Sequence, residues 1–321
     1  MKIMVTGANG FVGRVLCSEL VKRGVPVCAA LRAEVSSDLA CCDVIRISGI
    51  NSNTEWRDSL QEVTTVVHLA ARVHVMHDDA IDPVEEFRKV NVAGTERLAR
   101  SAAASGVKRL VYVSSIKVNG EATSGETKFT ESDVPSPQDP YGISKMEAEL
   151  ALHRVAAETG LEIVIVRPPL VYGAGVKGNF AQILKVLDKG IPLPLASVHN
   201  QRSLVYVENL VDALILCATH PVAAGQTYLV SDGEDVSTPA LLRQLGAAMG
   251  HPARLFSCPP ALLRVAGRMI GKSDQIERLL GSLRVNSGKI RCDLNWRPPY
   301  TLSGGVKNTG ASARRIIKSE Q

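Results

Sequence analysis

Val5-Thr6-Gly7-Ala8-Asn9-Gly10-Phe11-Val12-Gly13 is the stretch that decides how this chain is read. The apolar residues Ile3, Met4 and Val5 at its front predict a short buried strand. Behind it, Arg14 to Arg23 predicts a helix, with Val15, Leu16, Glu19 and Leu20 one to two turns apart and Gly24 as the stop. Strand, glycine turn and helix are the parts of a dinucleotide-binding βαβ unit. Gly7 permits the tight turn, Gly10 lets backbone approach a pyrophosphate, and Gly13 lets helix and strand pack closely. Asn9, Phe11 and Val12 belong to the same cradle, where the helix start offers free N–H groups to phosphates. A glycine turn alone is often only a turn; the flanking strand and helix give this one its meaning.

Outward from that turn, strands and helices alternate. Val25 to Leu31, Val44 to Ile47, Val63 to Ala71, Leu110 to Ser115 and Leu161 to Val166 predict strands, and Pro83 to Ser105 predicts a long helix closed by Gly106. A second helix opens at Pro140-Tyr141 and ends at Gly160. This pattern predicts an α/β, Rossmann-type doubly wound parallel sheet. From Gly173 onward the elements shorten, which predicts a nucleotide-binding unit over 1–172 and a smaller α/β substrate lobe over 173–321, interleaved with the last strands (Ser203 to Val207, Thr227 to Val230). His68, in an apolar run, reads as a hydrogen-bonded core histidine.

The chemistry is carried by Tyr141-x-x-x-Lys145, with Ser115 at a strand end upstream. Residues four apart on a helix share a face, separated by a rise of about 5.4 Å. An ammonium beside a phenol favours phenolate and lowers the tyrosine from its free pKa of about 10. Such a tyrosine can pass a proton to or from a carbinol oxygen during hydride transfer, while Ser115 hydrogen-bonds the same oxygen. At the end of the second strand stand Leu31-Arg32, with no carboxylate for the ribose hydroxyls. The arginine suits the extra phosphate of NADP(H) better than NAD(H), which stays the alternative.

The Thr-Gly-Ala-Asn-Gly-Phe-Val-Gly wording, with Ser115, Tyr141 and Lys145, resembles the extended short-chain dehydrogenase/reductase family of nucleotide-sugar epimerases, dehydratases and ketoreductases. The likeness runs from Lys2 to about Gly305 and ends on Asn295-Trp296-Arg297-Pro298, where the family usually has Gly before Trp. It implies that Lys145 also holds the nicotinamide ribose, that Leu69, Ala70, Ala71 and Pro168 pass beside the cofactor, and that Asn91, in Asn91 to Thr95, supports the active-site backbone. On the substrate side it implies Asn179 and Phe180 at the nucleotide and Arg202 at the diphosphate, with Arg284 as a second diphosphate ligand. Arg72 and Lys117, with His74 and His77, could face the sugar. Relatives that dehydrate the sugar carry Asp-Glu directly after the strand-end hydroxyl. Ile116-Lys117 stands there instead, which excludes that chemistry, because isoleucine donates no proton and lysine is a poor base. The stretches Val113 to Gly120 and His68 to Val75 look like bacterial reductases of UDP-linked 4-keto-6-deoxy amino sugars. The expected activity is therefore an NAD(P)H-dependent 4-ketoreductase serving surface-polysaccharide precursors. The alternatives are a UDP-hexose 4-epimerase with bound NAD and, from another class, a non-catalytic NADP-binding regulator. Relatives commonly dimerise through helices matching Pro83–Ser105 and Tyr141–Thr159, so a homodimer is expected.

Bulk properties agree with such an enzyme. The 321 residues carry a mild net charge of +5, with 45% hydrophobic and 21% charged residues, giving little support to nucleic-acid binding. The seven scattered cysteines show no metal-ligand spacing and predict reduced thiols in a soluble cytoplasmic protein, with no metal.

Overall fold

The computed structural model describes residues 1–32, 39, 41–73 and 82–319. The opening strand β1 (Ile3–Thr6) is buried at all four positions and runs through the glycine turn into α1 (Phe11–Lys22). Next come β2 (Val27–Leu31), β3 (Asp43–Arg46) and β4 (Thr65–His68), then α2 (Pro83–Arg88) and α3 (Gly94–Ala104). Strand β5 (Arg109–Val113), helix α4 (Pro140–Thr159) and strand β6 (Glu162–Arg167) complete the first part. Beyond these lie β7 (Leu170–Tyr172), α5 (Gly178–Asp188), β8 (Arg202–Tyr206), α6 (Val207–Thr219), β9 (Thr227–Leu229) and β10 (Asp235–Val236). The chain ends with α7 (Thr238–Met249), α8 (Pro260–Met269), α9 (Ser273–Leu280), α10 (Gly288–Asp293) and α11 (Leu302–Ser319).

Seven strands form one parallel sheet in the order β3-β2-β1-β4-β5-β6-β9. Ile3 faces Val27 on one side and Thr65 on the other, so β1 sits between the two halves. The chain steps outward from β1 through β2 and β3, then returns to β4 on its opposite flank. That reversal opens a crevice at the carboxyl ends of β1 and β4, where ligands bind in this architecture. One apolar layer under α1 and α6 gathers Leu16, Leu20, Leu210, Leu214 and Trp296; the layer under α3 and α4 gathers Trp56, Leu98, Tyr112 and Leu152. A smaller sheet, β10-β8-β7, underlies a third apolar cluster shared with α5, α7 and α11.

The long helix expected over 83–105 is broken in the middle. Residues Lys89–Ala93 form a π turn between α2 and α3, and this wider turn brings Asn91 into the interior, where it is buried. At the far end, Asn295 adopts φ 49°, a left-handed conformation that asparagine tolerates and glycine adopts without strain. Trp296 is buried behind it and donates from Nε1 to Asp212 Oδ2 at 3.1 Å. All seven cysteines are free thiols. Among the described residues no helix is long and apolar enough to cross a membrane, and no group of His, Cys, Asp and Glu could hold a metal.

Candidate active site

The glycine turn closes on itself and on the neighbouring strand. Gly7 has φ +70°, and a Cβ there would lie 2.9 Å from the Ala70 nitrogen. Gly10 N donates to Gly7 O at 2.9 Å, and a Cβ on Gly13 would meet that same oxygen at 2.2 Å. The turn is therefore as tight as backbone allows. Gly10 is the N-cap of α1 and has no side chain to cap it, unlike Asp82 before α2, Asp139 before α4 and Ser237 before α7. The N–H groups of Phe11, Val12 and Gly13 are thus left for an anion at the positive end of the helix. Leu69 and Ala70 lie against the turn, their amides donating to Thr6 O and Thr6 Oγ1 at 3.3 Å each. These residues fit a dinucleotide pyrophosphate. Arg32 is exposed directly after β2, and no acid follows Leu31 there.

Beneath the crevice His68 is a core residue, with both ring nitrogens engaged by hydroxyls (Thr6 Oγ1 at 2.6 Å, Thr95 Oγ1 at 2.9 Å). Burial, and then the Lys145 charge, push its pKa down to about 3, so the ring is neutral.

Tyr141 occupies the first turn of α4. The helix starts there because Pro140 fixes its first residue and Asp139 accepts from Gly142 N at 2.7 Å; it stops at Gly160, φ 75°. One turn into the helix, Lys145 is 2% exposed. Its Nζ donates to Val113 O at 2.8 Å, lies 4.5 Å from the Tyr112 ring centre and 5.8 Å from that of Tyr141. The lysine thereby ties α4 to the strand end that carries Ser115. Ser115 is extended, caps the short 3-10 turn Ile116–Val118 and accepts from Lys117 N at 3.2 Å. Ile116 N in turn donates to Pro168 O at 3.0 Å, joining the ends of β5 and β6.

The electrostatics differ from the sequence expectation. Burial lowers the Lys145 pKa to about 7, with Glu149 pulling the other way. Burial and the Asp139 charge push the Tyr141 phenol upward instead of down. The ammonium donates to a carbonyl and lies nearer the Tyr112 ring than the Tyr141 ring, and the phenol's shift is set by its own burial and by Asp139. An oxidised nicotinamide would add a positive ring charge and accept hydride.

Two polar frames hold these groups. Asn91 Oδ1 accepts from Arg72 N at 2.8 Å, while Nδ2 donates to Arg72 O at 3.0 Å and Ser144 Oγ at 2.9 Å. Ser144 Oγ donates to Tyr141 O at 2.8 Å. Separately, Glu149 accepts from Arg167 through both oxygens (2.9 and 2.5 Å) and from Ser114 Oγ at 2.5 Å; Arg167 also donates to Asn119 Oδ1 at 3.0 Å. Glu149 and Arg167 are both buried, and such a charge pair persists in the interior only with its hydrogen bonds filled, as here.

On the substrate side, Arg202 lines a cavity of about 400 Å³ with Glu121, Gln138, Asp139, Glu277 and Arg278. Its guanidinium donates to Arg278 O at 2.7 Å and Gly281 O at 3.1 Å. Burial and the like charge of Arg278 hold its pKa below the usual guanidinium range, against the pull of Glu121. Lys117 pairs with Asp139, and with Glu121 at 3.0 Å, at the same rim. Arg72 stacks its guanidinium 5.5 Å from the Phe87 ring centre. Asn179 is exposed in the first turn of α5. Ala71 follows Ala70 beside the crevice, while His74 and His77 lie outside the described residues.

The Phe180 ring is 2% exposed and stacks on Tyr172 at 6.0 Å, so it is core, and what this position can offer a nucleotide is backbone in the first turn of α5. Arg284 donates to Asp235 at 2.9 Å and to the exposed Glu126 at 2.7 Å, and Arg278 joins Arg202 at the cavity. Nothing in the spacing of α9 singles out Arg278. Asp139 was readable, as an N-cap immediately before a proline.

Comparison with known proteins agrees with this geometry. Residues 3–231 match the NAD dependent epimerase/dehydratase family. A UDP-glucose 4-epimerase of Vibrio cholerae is 44% identical over 309 residues, covering 96% of this chain and 94% of that protein. The fold is shared with the Bacillus cereus UDP-glucuronic acid 4-epimerase in complex with NAD (TM-score 0.79, 20% identity, 98% and 99% of the two chains). It is shared equally with the Thermotoga maritima UDP-glucose 4-epimerase with UDP-glucose (TM-score 0.78, 23% identity, 99% and 100%). The chain belongs to the NAD dependent epimerase/dehydratase family, the extended short-chain dehydrogenase/reductases.

Proposed function

We propose that this protein inverts the C4 hydroxyl of a UDP-linked hexose, as a 4-epimerase that retains its nicotinamide cofactor. The observation that carries the reading is the buried Lys145 bonded to the Val113 carbonyl, which links the Tyr141 turn to the strand ending in Ser115. The likeness to a UDP-glucose 4-epimerase over nearly the whole chain favours C4 inversion over the ketoreductase expected from sequence. In this reading the Gly7 turn, the start of α1 and residues 69–71 hold the dinucleotide, with Pro168 beside it, and Lys145 holds its ribose. The bound nicotinamide supplies reversible hydride acceptance. Tyr141 Oη acts from its phenolate form, taking the proton of the C4 hydroxyl and returning it, and Ser115 Oγ hydrogen-bonds the same oxygen. Arg202, with Arg278, holds the diphosphate as a pivot, since a fixed anchor lets the 4-keto sugar present either face. Residues 1–172 act as the cofactor unit and 173–321 as the nucleotide-sugar lobe, and α2, α3 and α4 form the interface of a homodimer.

One observation favours a second reading. Arg32 without an acid at the end of β2 suits an exchangeable NADPH and hence a 4-ketoreductase of a UDP-4-keto sugar. A single comparison separates the two. Protein purified without added cofactor is incubated with UDP-glucose and UDP-N-acetylglucosamine, and its denatured supernatant is assayed for nicotinamide. The 4-epimeric products with stoichiometric cofactor support epimerisation. Neither product, together with NADPH oxidation on a UDP-4-keto-6-deoxy sugar, supports the reductase and refutes the epimerase.

A further inference from the structure

Helix α8 is attached to the protein by a narrow strip. Only Leu263 and Gly267 of its ten residues are buried, and Gly267 lies tight against α9: a Cβ there would meet Ile276 Cγ1 at 2.7 Å. Leu262, Val265, Ala266 and Met269, spaced three and four apart, share another face and are all exposed. Met269 is 83%, Ile270 65%, Leu262 59% and Val265 52% exposed, the densest group of open large apolar side chains in the described protein. Isolated exposed apolar residues are ordinary, but a contiguous set on one helix face marks an interaction surface.

The charge beside this face is one-sided. Arg264 and Arg268 are one turn apart on α8, and Lys272 follows just beyond its end; all three are exposed. Between 251 and 280 there are five Arg and Lys against two acids. One of the acids, Glu277, is paired with Arg264 at 2.9 Å, leaving Arg268 and Lys272 nearest the apolar stripe. A short helix with an apolar face and a cationic flank is the pattern that lies in the plane of an anionic membrane surface, its apolar side in the acyl boundary and its cations at the headgroups.

We propose that α8 docks the protein on an anionic lipid bilayer. Helix α9, packed against α8, carries Glu277 and Arg278 on the wall of the Arg202 cavity, so a docked α8 brings that cavity's rim close to the membrane surface. The proposal is independent of which C4 reaction the protein performs.

The test is co-sedimentation of the full chain with vesicles of phosphatidylcholine alone and of equal parts phosphatidylcholine and phosphatidylglycerol, at low and high salt. Binding to the anionic vesicles that weakens with salt is expected. The double variant Arg268→Glu, Lys272→Glu should weaken it by about tenfold or more. Leu262→Ser with Met269→Ser should do the same while leaving the melting temperature and the turnover of soluble nucleotide sugar unchanged. No sedimentation with anionic vesicles, or equal binding to pure phosphatidylcholine, overturns the proposal. So does a loss of oligomer by light scattering in the serine variant without vesicle binding by the parent, since a second copy of the chain would then cover the face.

Discussion

Asn91 donates from Nδ2 to Ser144 Oγ at 2.9 Å, joining the π turn after α2 to the first turn of the helix that carries Tyr141. The same amide brackets Arg72 by both its N–H and its carbonyl, so one side chain fixes the loop after β4 and the start of α4 together. Asn91→Ala removes three hydrogen bonds, a buried one to Ser144 and two part-buried ones to Arg72, and a buried polar group left unsatisfied costs about 1–3 kcal/mol. The expected outcome is a lower melting temperature and a kcat reduced about tenfold or more, with KM for the nucleotide sugar much less affected. Steady-state kinetics beside a melting curve checks it; a kcat equal to the parent's would refute the positioning role.

The tyrosine itself gives a sharper test. Tyr141→Phe keeps the ring that packs edge-on against Phe87 at 6.2 Å and removes only the hydroxyl. Loss of a proton-transfer group costs about 10²–10⁴-fold in rate. Turnover should fall by that amount while nicotinamide fluorescence still reports cofactor binding.

Lys145 makes stability depend on pH in a stated direction. Its ordinary value is 10.5 and burial brings it to about 7 in the folded chain. Between these values the unfolded chain binds the lysine proton and the folded chain has released it, so stability rises with pH. The gain is complete above 10.5 and is lost as pH falls through about 7. Lys145→Met has no such group. Melting both cofactor-free proteins from pH 6.5 to 9.5 should show the parent gaining on the variant by up to about 1.4 kcal/mol per pH unit, the value of one unit of pKa shift. A constant gap would mean the lysine keeps its ordinary pKa.

Much of this architecture was legible because it rests on local rules. Pro140 and Gly160 mark both ends of α4, and the glycine spacing marks the β1–α1 turn, since each position tolerates few other residues. The π turn was not legible: one wider turn hardly disturbs a 3.6-residue apolar period, so 83–105 reads as one helix. Nor was the setting of Lys145. Four-residue spacing puts it on the face of Tyr141, but only tertiary packing turns its ammonium to the Val113 carbonyl and buries it enough to bring its pKa to about 7. Arg278 and Arg284 show the same limit, because which arginine meets the cavity and which meets carboxylates depends on contacts far apart in the chain.

Gly13 tests the cradle without touching the catalytic groups. An alanine Cβ there would stand 2.2 Å from Gly7 O and 2.7 Å from Ala8 Cα, both backbone atoms that cannot turn aside. The helix must move off the strand, and the N–H groups of Phe11 and Val12 move with it. Gly13→Ala should lower the melting temperature and weaken cofactor affinity at least tenfold by titration calorimetry, whereas Gly24→Ala, with nothing near its Cβ, should leave affinity unchanged.

Arg32 is the position at which the choice of cofactor can be tested. Ribose hydroxyls at the end of β2 are met by a carboxylate in NAD-selective units and a 2′-phosphate by an arginine. Arg32 is exposed, so Arg32→Asp should fold normally and change only this contact. The variant exchanges a charge that attracts the phosphate for one that repels it and accepts hydroxyl protons, so preference should move from NADPH toward NADH by about tenfold or more. Competitive titration of the two reduced cofactors into apoprotein reads it directly. An unchanged ratio would place the 2′ position away from Arg32 and remove the observation that favours a reductase over a cofactor-retaining epimerase.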